Sequence, residues 1–346
     1  MNGFSIFMDQ DLTPQTVKYI EQMAQAGFEG IFTSLNLPED DATKYEARLM
    51  ALGELAQQNE LALMVDISGP ALKRSGLELE QMKQFGVTGL RADDELELAM
   101  IAKLSHEFTI GLNASTITAN DIITLTKAGA DFTCLEAWHN YYPRPETGLA
   151  KNYFCEQNVF LRAHGLKINA FIAGDKNLRY PLYQGLPTLE KQRYLDPLVA
   201  WVELKNLGVT GVYLGDPGLE ANTLERLKVY FDRQVITLRI KPEIPLCLQV
   251  MGEHENRRDV AELVIRSANA RKHVLTQIVP ENTHPRSRGS LTIDNCKYGR
   301  YIGEVQLVKQ DLPADPKVNV LGNVNADYLG LLEYIGSGQK FRLVEE

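Results

Sequence analysis

Short apolar segments alternate with stretches of helical period along the first two thirds of the chain. Each apolar segment ends in polar residues, which is typical of a strand buried in a sheet. Eight segments fit this description, at residues 4–8, 30–33, 61–65, 89–91, 109–112, 131–135, 166–172 and 211–214. Continuous apolar strands that alternate with helices indicate a parallel sheet covered on both faces. Eight such units in about 230 residues predict an α/β fold, a closed (β/α)₈ TIM barrel.

Glycines mark the boundaries between several predicted helices and the strands that follow them. The first predicted helix, at about residues 13–26, is followed by Gly27. Gly86, Gly129 and Gly208 stand in the same place in later units. Because glycine readily takes the left-handed conformation that ends a helix, this recurrence supports the count of eight units.

The pattern changes after about residue 233, where turn residues separate short segments that resemble strands. These predicted strands lie at 235–240, 246–250, 273–278, 290–293, 302–308 and 340–344, with helices at about 315–320 and 326–332. Such a pattern predicts a small, mainly antiparallel β domain, most simply a barrel. We therefore predict two domains, a catalytic barrel at residues 1–233 and a β domain at 234–346.

The composition is that of a globular protein without nucleic-acid or membrane partners. The formal net charge of the 346 residues is -9, so the bulk surface does not attract nucleic acid or anionic lipid. The first ten residues resemble no signal peptide, and no segment reaches the roughly 18 apolar residues of a membrane helix. Four widely spaced cysteines without a CxxC pair indicate reduced thiols. A cytoplasmic protein is expected.

The loop that follows the sixth predicted strand is rich in side chains that bind or catalyse. Pro143 and Pro145 exclude a helix there. The remaining residues of interest are aromatic, acidic, basic or amide, namely Glu136, Trp138, His139, Asn140, Tyr141, Tyr142, Arg144 and Glu146. A loop of this composition indicates function, although a loop held together by aromatic packing with solvated charges would have the same residues.

The active site of a (β/α)₈ barrel lies at the carboxyl ends of its strands. The polar residues predicted there are Asp9, Ser34, Asn36, Asp66, Ser68, Arg91, Asp93, Asp94, Glu95, Asn113, Glu136, His139, Asn140, Tyr142, Arg144, Asp175, Lys176 and Asp216. Any single aspartate could instead cap the next helix. Carboxylates at six of the eight strand ends nevertheless favour a site built from acids.

Several carboxylates around one mouth suit two chemistries. In glycoside hydrolysis, one carboxylic acid protonates the leaving oxygen, and a carboxylate attacks or stabilises the anomeric carbon. Alternatively, oxygen ligands hold a divalent metal for enolisation or aldol cleavage. A single histidine at the mouth and the lack of HxH and HExxH motifs disfavour zinc. No GxGxxG or GxxxxGK[ST] motif follows a strand, so no nucleotide cofactor is expected. We expect neither a metal nor another cofactor.

A second group of candidate residues lies in the tail, at residues 282–290. Arg286 and Arg288 flank a serine, and Gly289 permits close backbone approach. Paired guanidinium groups suit a phosphate, so this loop is a candidate anion site together with Lys176. A solvated loop with two exposed arginines explains the same residues equally well.

Four segments of the barrel carry a resemblance to a known family: CLEAWHNYYPRPETGL at 134–149, GLNAS at 111–115, VDIS at 65–68 and GDP at 215–217. Together with RSRG at 286–289, they resemble the 6-phospho-N-acetylmuramidases, glycoside hydrolase family 170. The resemblance covers essentially the whole chain. It implies a (β/α)₈ barrel, a cyclophilin-like β domain, and cytoplasmic hydrolysis of N-acetylmuramic acid 6-phosphate linked to N-acetylglucosamine in peptidoglycan recycling.

The residues themselves suggest roles for the acids. Glu136 is the expected general acid, because aromatic neighbours could raise its pKa. Asp66 or Asp175 is the expected second carboxylate, and Asp9 and Asp216 are the next candidates. The N-acetyl group of the substrate could itself be the nucleophile, with Asp93 or Asp175 orienting it.

The expected substrate-binding residues are Arg91, Asn113, His139, Asn140, Tyr142, Arg144, Lys176, Arg286 and Arg288. A metal-dependent sugar-phosphate lyase or epimerase and a non-catalytic binding protein for a cell-wall fragment remain the alternatives. Chelator sensitivity distinguishes the first of these from a glycosidase, and return of an intact ligand distinguishes the second. The sequence makes no prediction of oligomeric state.

Overall fold

The computed structural model describes residues 1–36, 42–93, 96–270 and 277–346. Eight parallel strands close into a barrel in sequence order, which confirms the (β/α)₈ prediction. They are β1 Asn2–Ser5, β2 Gly30–Ser34, β3 Ala62–Ile67, β4 Gly89–Ala92, β5 Thr109–Asn113, β6 Leu135–Trp138, β7 Lys167–Ile172 and β8 Gly211–Leu214. β1 pairs with both β2 and β8, so the sheet has no free edge.

Helices connect the strands of the barrel. They are α1 Pro14–Gln25, α2 Tyr45–Gln58, α3 Gly69–Ser75, α4 Leu79–Gln84, α5 Leu98–Leu104, α6 Ala119–Lys127, α7 Lys151–Ala163, α8 Pro197–Asn206 and α9 Ala221–Arg233. α1 begins where Thr13 Oγ1 accepts a 3.2 Å hydrogen bond from Thr16 N. The first two residues of the helix predicted at 40–59 lie outside the described residues. None of the described helices is long and apolar enough to cross a membrane.

An apolar layer fills the middle of the barrel. Its inward-facing members are Phe32, Met64, Trp138, Phe171 and Tyr213, all of them buried. Glycines make room for the largest rings: a Cβ atom at Gly3 would lie 2.0 Å from Tyr213 Cε1, and one at Gly111 would lie 2.7 Å from Trp138 Cδ1. The barrel interior is therefore a packed core, and ligands can reach only its ends.

The chain divides into two compact units, Met1–Leu224 and Glu225–Glu346. The predicted domain boundary after residue 233 stays a prediction. The second unit has a seven-stranded mixed sheet in the order β10-β15-β9-β14-β12-β13-β11. Its strands are β9 Ile236–Pro242, β10 Gly252–Glu255, β11 Val264–Arg266, β12 Ser290–Asp294, β13 Val305–Val308, β14 Val318–Val324 and β15 Lys340–Glu345. All pairs are antiparallel except β9 with β15, as the predicted mainly antiparallel domain requires.

Two predictions for the second unit are wrong, and a third holds with a change of helix type. The segment predicted as a strand at 246–250 is a 3₁₀ helix, Pro245–Val250, since a short apolar run fits either structure. The helix predicted at 315–320 is replaced by a turn that leads into β14, whose residues pair with β12. The helix predicted at 326–332 is a 3₁₀ helix, Ala326–Tyr334. Four residues of the strand predicted at 273–278 lie outside the described residues, and the last two are not in a strand.

Candidate active site

Asp66 stands at the centre of a polar cluster at the carboxyl end of the barrel. Its Oδ2 accepts hydrogen bonds from Ser34 Oγ at 2.8 Å and from Asn36 Nδ2 at 2.9 Å. Its Oδ1 accepts a 2.5 Å hydrogen bond from Arg91 Nη1. The donors come from the ends of β2 and from β4, which are the two neighbours of β3 in the barrel. The closed sheet thus places three adjacent strand ends around one carboxylate.

Arg91 connects Asp66 to the rest of the mouth. Its Nη1 also lies 3.8 Å from Asp93 Oδ2, and its Nη2 donates to Asn140 Oδ1. Asp93 Oδ1 accepts a 3.2 Å hydrogen bond from Asn113 Nδ2, at the end of β5. Of the predicted site residues, the structure therefore brings together Ser34, Asn36, Asp66, Ser68, Arg91, Asp93, Asn113 and Asn140. Asp94 and Glu95, which were predicted beside Asp93, lie outside the described residues.

The two carboxylates next to Arg91 have different environments. The side chain of Asp66 is 7% exposed and that of Asp93 is 31% exposed. Burial raises the pKa of Asp66 above its usual range, and the Arg91 guanidinium limits the rise. Burial also works against the charged form of Arg91, but the two carboxylates outweigh it and raise the pKa of Arg91. Asp93 is therefore the member of the cluster that a ligand can contact, while Asp66 and Arg91 form a buried, fixed pair.

Tyr141 lies between this cluster and the apolar layer of the barrel. Its ring is 5.3 Å from the Phe171 ring and 6.1 Å from the Phe32 ring, both in edge-to-face geometry. Tyr141 therefore extends the packed core toward the mouth. An aromatic surface next to acids and amides is the composition of a sugar-binding site.

Glu136 does not lie at the mouth, so its predicted position is wrong. β6 continues to Trp138, and Glu136 pairs in register with Lys167, the first residue of β7. Its Oε2 accepts hydrogen bonds from Trp138 Nε1 at 3.0 Å and from Asn169 Nδ2 at 2.9 Å. Glu136 also acts electrostatically on the terminal amino group of Met1, at the amino end of β1. Glu136 thus lies below the apolar layer, at the opposite end of the barrel from Asp66.

His139 is a core residue that faces helix α7. Its Nε2 lies 2.8 Å from Asn158 Oδ1, and its ring packs 4.5 Å from the Phe154 ring. Burial lowers the pKa of His139 to about 4, so the imidazole is neutral near pH 7. The structure does not bring this predicted substrate-binding residue to the mouth.

The loop after β6 is held by the loop after β7. Arg193 donates to the backbone oxygens of Tyr142 at 2.9 Å and Arg144 at 3.2 Å, and Glu190 accepts from Gly148 N at 2.7 Å. The paired Arg193 guanidinium lowers the pKa of Glu190 to about 2. These interactions fix the backbone and leave the side chain of Arg144 exposed. Sequence reasoning missed Glu190 and Arg193, whose spacing of three residues was their only signal.

Three predicted site residues after β7 and β8 have structural partners. Asp216 accepts backbone hydrogen bonds from Gly174, Arg179 and Leu186 and is buried. Burial raises the pKa of Asp216, and these donors limit the rise. Asp175 accepts from Glu220 N and Thr223 Oγ1, and Lys176 Nζ lies 3.2 Å from Glu220 Oε2. Asp175 and Asp216 therefore organise loops, and neither lies in the Arg91 cluster.

The remaining predicted residues are Asp9 in the barrel and two arginines in the second unit. Asp9 is exposed four residues after β1, because β1 ends at Ser5 and not at the predicted Met8. In the second unit, Arg286 Nε donates to Pro313 O, and Arg288 Nη2 lies 3.0 Å from Glu333 Oε1. The anion site proposed for Arg286 and Arg288 stays a prediction. Within the described residues, no three His, Cys, Asp or Glu side chains are grouped as a metal site.

Comparisons with known proteins identify the family. Residues 2–229 match the model of the 6-phospho-N-acetylmuramidase N-terminal domain, and residues 236–344 match that of the C-terminal domain. The chain belongs to the 6-phospho-N-acetylmuramidase family. The resemblance seen in the sequence is thereby confirmed. Among proteins with curated descriptions, none matches the chain.

Two solved structures resemble this 6-phospho-N-acetylmuramidase family member over its whole length. A conserved protein of unknown function from Enterococcus faecalis is 42% identical, with a TM-score of 0.93 over 100% of this chain and 96% of that one. An uncharacterized protein from B. cereus is 25% identical, with a TM-score of 0.78 over 99% of both chains. Both similarities extend through the barrel and the second unit.

Proposed function

We propose that the protein hydrolyses the β-1,4 bond of a 6-phosphorylated N-acetylmuramic acid–N-acetylglucosamine disaccharide, in peptidoglycan recycling. The observation that carries the proposal is the Asp66–Arg91–Asp93 cluster at the mouth of a barrel from this family. Acids and amides from four strands and their loops suit the hydroxyl groups and the acetamido group of an amino sugar. The four free cysteines suit the reducing cytoplasm as the location.

Asp93 is the proposed catalytic acid. It is the exposed carboxylate of the cluster, and Asn113 and Arg91 hold it from two sides. In its protonated form, Asp93 donates a proton to the glycosidic oxygen as the bond from that oxygen to the anomeric carbon breaks. A water molecule that later attacks the anomeric carbon returns a proton to Asp93.

Asp66 is a positioning residue in this mechanism. The three hydrogen bonds that its carboxylate accepts all come from protein groups, and its side chain is buried. The cluster therefore offers one reacting carboxylate where glycosidases of the usual kind have two. This favours the N-acetyl oxygen of the substrate as the group that attacks the anomeric carbon, an alternative already raised from the sequence.

Arg144 is the proposed ligand of the substrate phosphate in the barrel. Its side chain is exposed, and Arg193 and Thr147 bond to its backbone oxygen and hold the loop. Lys176 is less suitable because it already pairs with Glu220. A guanidinium group binds phosphate through paired hydrogen bonds, so Arg144 would favour the phosphorylated sugar over the neutral one.

The test is incubation of the purified protein with the phosphorylated disaccharide and with its unphosphorylated counterpart, each with and without EDTA, followed by mass spectrometry. We expect cleavage of the phosphorylated sugar alone, unchanged by EDTA. Arg144→Met should reduce the preference for the phosphorylated substrate, whereas Arg162→Met, on α7, should not. Loss of cleavage in EDTA would favour a metal-dependent lyase, and recovery of both disaccharides intact would exclude the proposed substrate.

A further inference from the structure

A cavity lies at the carboxyl end of the barrel, beside β1, β7 and β8. Its volume is about 420 Å³, which falls within the range of small-molecule sites. The segment after β1, helix α1 and the loop between β7 and α8 form its walls. None of the side chains bonded to Arg91 is among its lining residues. The proposed catalytic cluster therefore does not account for this cavity.

Two tyrosines of the loop between β7 and α8 line the cavity and remain open to solvent. Tyr180 and Tyr183 are each 57% exposed, and their rings lie 6.1 Å apart in edge-to-face geometry. A tyrosine ring has a flat apolar face and a polar hydroxyl group. It therefore binds most favourably to a ligand that has both an apolar face and polar groups. A pyranose ring has such a surface, with C–H groups on its faces and hydroxyl groups around its edge.

A buried hydroxyl group at the cavity wall lacks a hydrogen-bond partner. Tyr19, on α1, lines the cavity, and its Oη is buried without a partner in the part of the chain that the structure describes. Buried polar groups in native proteins nearly always have one. Burial raises the pKa of Tyr19, so the group stays a neutral hydroxyl that can donate or accept. Because the oxygen itself is closed off from solvent, a ligand hydroxyl becomes its partner only when the side chains between them shift on binding.

The loop that carries the two tyrosines is held in one shape from inside. Asp216 accepts its backbone N–H groups at Gly174, Arg179 and Leu186, at 2.9 to 3.0 Å. The Arg179 guanidinium also stacks on the Phe7 ring, 3.8 Å from its centroid. An exposed surface on a fixed backbone is preorganised for binding, because little conformational entropy is lost when a ligand arrives.

The charges at the cavity favour a neutral ligand. Among the described lining residues, the charged side chains are Asp9, Asp11 and Arg179, and Asp11 pairs with Arg48 at 2.8 Å. Phosphate would meet no net positive charge there, whereas sugar hydroxyls can donate to a carboxylate such as Asp9.

We propose that this cavity is a saccharide subsite that binds one neutral N-acetylhexosamine ring against Tyr180 and Tyr183. The inference rests on the proposed function in one respect: the bound ring is taken from the same peptidoglycan-type glycan as the proposed substrate. The ring does not react at this site. It adds affinity for glycan fragments longer than the disaccharide that is cleaved.

Calorimetric titration with the β-1,4-linked trimer of N-acetylglucosamine tests the subsite, since this probe has neither phosphate nor muramic acid. We expect saturable binding to the full-length wild-type protein and about tenfold weaker binding to Tyr183→Ala and to Tyr180→Ala. Tyr19→Phe, which removes only the hydroxyl group, should weaken binding by about fivefold. Tyr194→Ala is the matched control, because Tyr194 lies in the same loop at 76% exposure but does not line the cavity.

Trimer binding and disaccharide hydrolysis are separate measurements, so the subsite proposal and the proposed function can be rejected independently. Trimer binding that survives in Asp93→Asn, with or without disaccharide hydrolysis by the wild type, supports the subsite by itself. No binding of the trimer, or equal affinity of the Tyr183→Ala, Tyr180→Ala and Tyr194→Ala variants, would overturn the subsite and leave the disaccharide reaction untouched.

Discussion

Arg91 and Asp66 form a buried salt bridge at the mouth of the barrel, with Nη1 and Oδ1 2.5 Å apart and side-chain exposures of 5% and 7%. The bridge joins two neighbouring strands that are paired in register. Both side chains are buried, and the position of Asp93 depends on the bridge through the same guanidinium group.

Loss of Arg91 should destabilise the protein. Arg91→Met leaves the Asp66 carboxylate buried without its charged partner, which costs about 3–5 kcal/mol in comparable cases. Urea unfolding should show a lower midpoint for this variant. Lys83→Met is the control, because the Lys83 salt bridge to Glu107 is exposed and such pairs contribute less than about 1 kcal/mol. Equal midpoints for both variants would contradict the buried-pair interpretation.

Substitution of Asp93 should abolish turnover, whereas substitution of Glu136 should not. Asp93→Asn removes the proposed proton donor, and kcat should fall by about 100-fold or more. Glu136→Gln is the matched acid-to-amide change below the apolar layer. It retains an acceptor oxygen for Trp138 Nε1, so kcat and KM should stay close to wild type. A large loss of kcat in Glu136→Gln, with normal unfolding, would count against the assignment.

The buried imidazole of His139 should make the protein less stable in weak acid. Its pKa is lowered from 6.5 to about 4 by burial. Between these values the unfolded chain binds a proton that the folded protein does not, so stability falls as the pH decreases through this window. We expect unfolding free energies at pH 5 to be lower than at pH 7, with a smaller difference in His139→Gln. An unchanged difference would show that other groups carry the pH dependence.

The loop after β7 should loosen when Asp216 is changed. In Asp216→Asn one carboxylate oxygen becomes an NH₂ group, which cannot accept from a backbone N–H. Amide hydrogen exchange across residues 174–186 should become about tenfold faster, and exchange in β5 should stay the same. Asp175→Asn is the paired variant, since its bonds go to Glu220 N and Thr223 Oγ1 instead. Unchanged exchange in Asp216→Asn would mean that other contacts hold the loop.

Part of the candidate site could be predicted from the sequence because it depends on strand ends. Asp66, Arg91 and Asn113 each lie at or near the end of a short apolar segment, and parallel strands bring their carboxyl ends together. The loop composition likewise identified Asn140. In contrast, Tyr19, Tyr180 and Tyr183 come from a helix and a long loop. The two tyrosines of the YPLY segment at 180–183 were the only signal, and the sequence does not show that Tyr19 shares a cavity wall with them.

The sequence by itself determined the eight strand–helix units, because the spacing of apolar residues and the length of each apolar segment reflect the local geometry of strands and helices. The tertiary structure decided how far along the barrel each inward side chain lies. Glu136 and Asp66 both point into the barrel, yet one lies beneath the apolar layer and the other at the mouth. The difference comes from the register between neighbouring strands, which pairs Glu136 with the first residue of β7 and Asp66 with Arg91 near the end of β4. Register is set by packing across the closed sheet, and a single strand's sequence does not contain it.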